Sequence, residues 1–235
     1  MILKIISINN PTDYYKLTDV IPQDYLLPNL IDRFQKRLNS SIKSIVVEYP
    51  YVDKDYRSTY YNFYSKRHRN YDKFCFRLHF FEKPFGSEDD LPKNSGSYQE
   101  AIVLRPTEVT PLGRTQLSPK AIRDFKGFIC ESTFENNLMG VPLQVKCFPH
   151  IMQDTDVTVC AHAVCWMIAR YYSEKYVVYP ERLLFDIAES IKDISGGRLI
   201  PSRGLTLGQI SEIFSTIGFS PEIFIRDLYK DTSFL

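Results

Sequence analysis

The sequence has no run of apolar residues approaching the ~18 that a membrane-spanning helix needs, so no such span is expected. It has almost no net charge: 29 Lys and Arg stand against 28 Asp and Glu, a formal balance of +1. Such a chain has no global field to gather nucleic acid or an anionic membrane, and either partner would need a local patch. No leader is evident. "MILKIISINNPTDYY" is broken by Lys4, stops at Asn9 and offers no small-residue cleavage site, so it reads as a first strand. The five cysteines (Cys75, Cys130, Cys147, Cys160, Cys165) are an odd number without a secretory signal. That fits free thiols in a reducing cytoplasm better than a disulfide framework. Tryptophan occurs once, at Trp166, and histidine four times. There is no internal repeat and no low-complexity tract.

What is present is ordinary for a globular protein: 44% hydrophobic and 24% charged residues over 235 positions, enough for one large domain or two small ones. "PQDYLLPNLIDRFQKRLNSS" spaces Leu26, Leu30, Phe34 and Leu38 four apart, which predicts a helix. "KSIVVEYPYV" predicts a strand. Tyr56, Tyr60, Phe63 and Tyr64 share a helical face that ends in the cations of "SKRHR". "KFCFRLHFFE" alternates Phe74, Phe76, Leu78 and Phe80 against Cys75, Arg77 and His79, which predicts a strand with one buried face and a partly exposed His79. "KPFGSEDDLPKNSGS" reads as a polar loop and "EAIVLRP" as a further strand. Residues 1–145 therefore form an α+β region with antiparallel strands, of unassigned role.

Residues 146–235 read as a second unit. Cys160 to Lys175 is an apolar-rich helix, and "PERLLFDIAESIK" is a helix opening on Pro180. After the loop "GGRLIPSRG" comes a helix capped by Thr206 and stopped by Gly218, then a strand in "SPEIFIRD".

The chemistry concentrates in "MQDTDVTVCAHAVCWMIARYYS". A nucleophilic Cys needs its thiolate, which the positive end of a helix and a neighbouring imidazolium both favour. Cys160 opens the helix. Gln153, upstream of it, is a side-chain amide able to donate to the oxyanion of an attacked carbonyl. Here "QDTDVTVCAHAVCWMIARYY" resembles the active-site segment of the peptidase domains of bacteriocin-exporting ABC transporters and their soluble relatives. The residues in register are Gln153, Cys160, Ala163, Met167, Ile168, Tyr171 and Tyr172. "RGLTLGQISEIFSTIGFSPEIF" resembles that family's later loop, helix and strand. The resemblance implies a papain-like cysteine peptidase domain with Cys160 as nucleophile, Gln153 as oxyanion donor, a polypeptide substrate and no cofactor.

Val159 and Ala161 stand where such families usually carry Asp and Gly, and no His follows His162, although the family's catalytic His lies downstream. Three readings stay open: a C-terminally incomplete enzyme, a degenerate scaffold serving as a protein-binding module, or a His supplied by the N-terminal region or another chain.

Rival readings use the same residues. Cys165 with Trp166 resembles the Cys-Trp pair of papain itself, but it lies more than a turn into the helix and fits a core position. His162 diverges from Cys160 by about 200° on a helix and reads as a surface or second-layer residue; His150 reads as structural. Cys147, His150, Cys160, His162 and Cys165 form C-x2-H-x9-C-x-H-x2-C, ligand types that suit a structural zinc. "TLGQISEIFSTIGFSPEIFIRDLYK" mimics a helix-turn-helix, with Glu222 and Asp227 against Arg226 and Lys230. The basic-aromatic "YYNFYSKRHRNYDKF" reads as a core aromatic face with a solvated basic end, so a nucleic-acid partner is not expected, whereas a protein partner of the N-terminal region is.

Overall fold

The structure, a computed structural model, describes residues 2–107, 111–153, 160–191 and 204–225. The chain runs β1 (Ile2–Ser7), α1 (Leu30–Arg37), β2 (Ser44–Tyr51), α2 (Lys54–Asn62), β3 (Cys75–Phe81), α3 (Leu91–Asn94), β4 (Tyr98–Leu104) and β5 (Leu112–Leu117). It continues through β6 (Ser132–Leu138), β7 (Val141–Cys147), β8 (Pro149–His150), α4 (Cys160–Lys175), α5 (Leu184–Glu189) and α6 (Leu207–Ile217). The fold is α+β. Six strands form an antiparallel sheet in the order β1-β2-β3-β4-β5-β8, and β6 and β7 form a separate hairpin. Among the described residues no helix is long and apolar enough to cross a membrane.

The pleat puts alternate residues on opposite faces. Val47, Leu78, Ile102 and Thr115 lie side by side across β2 to β5. On that face Val47, Leu78 and Ile102 pack with Leu17, Leu30 and Phe34 from the first helical layer. Val46, His79, Ala101 and Gln116 form the next row, facing the other way. That second face is covered by the β6–β7 hairpin, through Phe134, Leu143 and Val145, and beside it by α2 and α5, through Tyr56 and Phe185.

The expectation of a one-sided β3 is therefore corrected: every residue from Cys75 to Phe81 is buried, and His79 is buried completely rather than partly exposed. Its polar neighbours explain how. Arg77 Nε donates to Glu48 Oε2 at 2.7 Å, and Arg77 Nη2 donates to the Asn137 carbonyl of the hairpin at 2.6 Å. The Arg77 guanidinium also lies 4.1 Å from the Tyr51 ring centroid. His79 Nε2 lies 3.3 Å from the same Glu48 oxygen and Nδ1 lies 3.2 Å from the Tyr98 hydroxyl. A carboxylate only accepts, so Nε2 carries the proton and Nδ1 accepts from Tyr98. Burial holds the His79 pKa down to about 4. Burial works against the Glu48 carboxylate, but His79 and Arg77 together keep its pKa below the usual value. Asn136 Nδ2, donating to buried Gln116 Oε1 at 2.6 Å, is a second polar tie from hairpin to sheet.

Other expectations shift at their ends. The helix expected over residues 22–41 is a 3-10 turn at Gln23–Tyr25 followed by α1, because Pro28 disfavours helical backbone at Leu27. The polar loop of residues 83–97 contains α3 and buries Phe85 and Leu91. The helix expected to open on Pro180 opens on Leu184, where Asp186 Oδ2 accepts from the Leu183 amide at 3.1 Å. Thr206 does cap α6, accepting from the Gln209 amide, and Gly218 ends it in the left-handed conformation at φ 108°. No strand forms over the described residues 220–225, and Ile223, Phe224 and Ile225 are exposed. Arg226, Asp227 and the remaining loop positions 196–203 lie outside the described residues. The division at 145/146 falls inside β7, and β8 joins the main sheet.

Removing one member of a buried ion pair strands the other charge, at about 3–5 kcal/mol. Arg77→Ala should therefore destabilise the protein by about that much, read as a lower urea midpoint at unchanged slope.

Candidate functional site

Gln153 ends one described segment and Cys160 opens α4; residues 154–159 between them lie outside the described residues. The approach to Gln153 is set by β8, where His150 pairs with Thr115 and Pro149 with Gln116. Phe148 contacts Tyr171, late in α4, at 5.4 Å between ring centroids. Ile151 shares a core with Ala163, Cys165 and Trp166, early in α4. The segment thus runs antiparallel to the helix toward its first residue. Arg105 Nη2 steadies it by donating to the carbonyls of Leu112 at 3.0 Å and Met152 at 3.3 Å. Gly113 gives Arg105 room, since a Cβ there would stand 3.1 Å from its side chain. Gln153 and Cys160 are both exposed, and Val159 lies outside the described residues.

Helix α4 is divided by its own period. Cys160 and Val164 face outward; His162, Ala163, Cys165, Trp166 and Ala169 face inward. The Tyr pair of the resemblance is spent on packing: Tyr171 meets Phe148, and Tyr172 meets Phe219 at 5.0 Å. Ala161, Met167 and Ile168 are half-buried. His162, expected near the surface, is 1% exposed, and burial holds its pKa down to about 4.

The thiols are correspondingly unequal. Burial pushes Cys165 up to about 11 and Cys147 up to about 12, and raises Cys75 strongly. Cys160 and Cys130 are exposed. His150 is exposed, and the protein packed around its ring lowers its pKa. The Cys160 thiol has no hydrogen-bond partner among the described residues. The zinc set does not assemble. Cys147 lies in the core under the hairpin and Cys165 in the core under α4. Among the described residues, which include all five expected ligands, no three His, Cys, Asp or Glu stand together to hold a metal.

What fixes α4 in place is a buried carboxylate that no motif announces. Asp55 Oδ1, fully buried on α2, accepts from Trp166 Nε1 at 3.0 Å and from the Leu184 amide at 3.0 Å. One carboxylate oxygen thereby ties α4 and α5 to α2. Asp53, two residues earlier, caps α2 by accepting from the Tyr56 amide at 2.9 Å and pairs with Arg114 Nη2 at 2.7 Å. Asp55 Oδ2 is buried without a hydrogen bond, 3.7 Å from Arg114 Nε. Arg114 offsets burial at Asp53 and holds that carboxyl low. At Asp55 burial outweighs Arg114, the Asp53 charge adds to it, and the pKa rises to about 6. Arg170 adds a salt bridge to Glu181 at 3.0 Å, and Lys54 pairs with the same Glu181.

A carboxyl raised in the folded state gives stability that is complete below its unfolded pKa and is lost as pH rises through its folded pKa. Asp55→Asn keeps an acceptor for Trp166 and Leu184 but does not titrate. The stability of the native protein relative to this variant should fall between about pH 4 and about pH 6 and then level, measured by urea unfolding across that range. Under native conditions iodoacetamide should label Cys160 and Cys130 but not Cys75, Cys147 or Cys165, as read by peptide mass spectrometry. Comparison of the chain with protein families, with curated proteins and with solved structures finds no match.

Proposed function

We propose that the protein is a cysteine peptidase or related thiol acyl-transfer enzyme of the papain-like kind, with α4 as its nucleophile helix. The observation that carries this reading is the contrast along α4: Cys160 is exposed at its first residue, whereas Cys165 is buried with its thiol held protonated. In the reaction, Cys160 Sγ bonds to the substrate carbonyl carbon while its proton passes to an imidazole. The Gln153 side-chain amide donates to the oxyanion. Collapse breaks the carbon–nitrogen bond, the imidazolium returns its proton to the leaving amine, and water then hydrolyses the thioester.

His150 supplies that imidazole in this reading. His79 and His162 are buried, and His68 belongs to the loop after α2. His150 is exposed three residues before Gln153, and its lowered pKa keeps it neutral, the form that accepts a proton. A second reading, a papain-like scaffold that binds protein without catalysis, is favoured by the absence of a hydrogen bond to the Cys160 thiol among the described residues.

Cys160→Ala should abolish turnover of a peptide ester and labelling by a peptidyl vinyl sulfone. Gln153→Ala should lower kcat about 10²–10³-fold, the usual loss for one oxyanion donor, while Cys165→Ala keeps turnover. Labelling that survives Cys160→Ala and is lost in Cys165→Ala would overturn the assignment. No labelling of the native protein at all would favour the binding scaffold.

A further inference from the structure

The near-zero net charge of the chain conceals an uneven distribution. Between residues 54 and 73 stand six cations, Lys54, Arg57, Lys66, Arg67, Arg69 and Lys73, against two carboxylates, Asp55 and Asp72. Asp55 is buried and engaged with Trp166 and Leu184. Asp72 is held by the hydroxyls of Tyr25 at 2.9 Å and Tyr49 at 3.1 Å and by the Phe74 amide at 3.1 Å. Of the cations, Lys54 is paired with Glu181.

The aromatic residues of this segment divide into two sets. Tyr56 and Tyr64 are core, but Tyr60, Phe63 and Tyr71 are only half-buried and Tyr61 is 54% exposed. The sequence pattern of a wholly buried aromatic face is therefore half right. Tyr60 and Tyr71 line an open cleft of about 620 Å³ together with Arg69 and Lys73. Tyr61 and Phe74 line a neighbouring cleft of about 220 Å³ together with Arg57 and Lys73. Lys73 belongs to both, and Tyr60 and Tyr61 meet edge to face at 5.4 Å, so the clefts adjoin. Cations sit over rings along the same surface: Arg57 at 5.8 Å from the Tyr61 centroid, Arg67 at 4.6 Å from Phe63 and Lys73 at 5.2 Å from Phe74. The anchoring of Asp72, together with the bond from the Tyr56 hydroxyl to the Asp72 carbonyl at 2.7 Å, fixes the turn that carries Lys73. The larger cleft's other carboxylate is Asp24, which lines it and is exposed.

One exposed ring, Tyr61, and the half-buried rings of Tyr60, Tyr71 and Phe74, interleaved with cations along two adjoining clefts on a fixed turn, match the needs of a strand whose bases are unpaired. Each base offers a face to stack, and each phosphate a charge to neutralise. A duplex hides the base faces, and a bare polyanion has none. We infer that this surface binds single-stranded nucleic acid, with Tyr61 and Tyr71 as stacking platforms and Arg57 and Lys73 as phosphate contacts. The inference is independent of the thiol chemistry at α4.

The test is fluorescence anisotropy with a labelled 20-nucleotide single strand, its duplex, an abasic strand of equal length and inorganic polyphosphate. The single strand should bind at least tenfold tighter than each of the other three. Arg57→Gln with Lys73→Gln should weaken it at least tenfold and flatten the salt dependence by about one to two units of slope. Tyr61→Ala should weaken the single strand about tenfold but leave the abasic strand unchanged. These side chains are exposed, and unchanged circular dichroism and thermal midpoints verify that the variants fold. Equal binding of duplex, abasic strand or polyphosphate, indifference to the substitutions, or no binding at low salt overturns the inference.

Discussion

The arrangement of the helices around the thiol rests on one oxygen atom. Asp55 Oδ1 accepts the Trp166 indole proton and the first amide of α5 together. Neither donor has another described partner that would replace it, and a buried donor left unmade costs about 1–3 kcal/mol. The indole is the chain's only one and is fully buried, so its N–H must be satisfied from within. Because Trp166 lies six residues beyond Cys160 on the same helix, whatever fixes the indole also fixes the rotation of α4. The carboxylate thus acts on the candidate site through the helix, without approaching it.

Two buried polar clusters serve the same purpose at different places. Glu48, Arg77 and His79 join the hairpin to the second face of the sheet, and Asp53, Asp55 and Arg114 join α2, α4 and α5 to it. Apolar burial on that face supplies most of the attraction, but it is not directional. The charged groups have fixed geometry, and they select one docking of hairpin and helices among the many that would hide similar area. They also oppose each other in pH dependence. His79, with its pKa depressed, gives stability present above its unfolded pKa and lost as pH falls through about 4, whereas Asp55 loses its share as pH rises to about 6.

Much of the local structure was legible in sequence. The strands at 44–51, 75–81 and 98–104 follow from β-branched and aromatic runs, and α4 and the Thr206 cap of α6 were read nearly to the residue. Burial was read less well, because period-2 alternation reports a face only when one face meets water. In β3 Arg77 and His79 resemble an exposed set, yet Cys75 and Phe81 share their parity, and that mixed face was the available sign of a covering layer. Cys160 and Gln153 stand out in the sequence by a thiol opening a helix and an amide upstream of it, and the resemblance names the same pair; both are exposed. The Asp55 junction does not stand out, because it joins residues 111 apart in sequence and depends on tertiary packing alone. The zinc pattern failed for the converse reason: spacing along the chain says nothing about which core each side chain enters.

The two borders of the main sheet are unlike. At one, β8 contributes only the two residues Pro149 and His150 before the chain turns toward α4. At the other, β1 is a full six-residue strand, "ILKIIS", hydrogen-bonded among the described residues to β2 on one side only. A strand with one unpaired side is a template on which a second chain can add another strand. Lys4 stands at the middle of it, exposed, between half-buried Leu3 and Ile5. An incoming strand would have to lie beside that ammonium group and strip part of its water. The same lysine that interrupts the apolar start of the sequence is thus a gatekeeper, keeping the open border of the sheet from recruiting its neighbours.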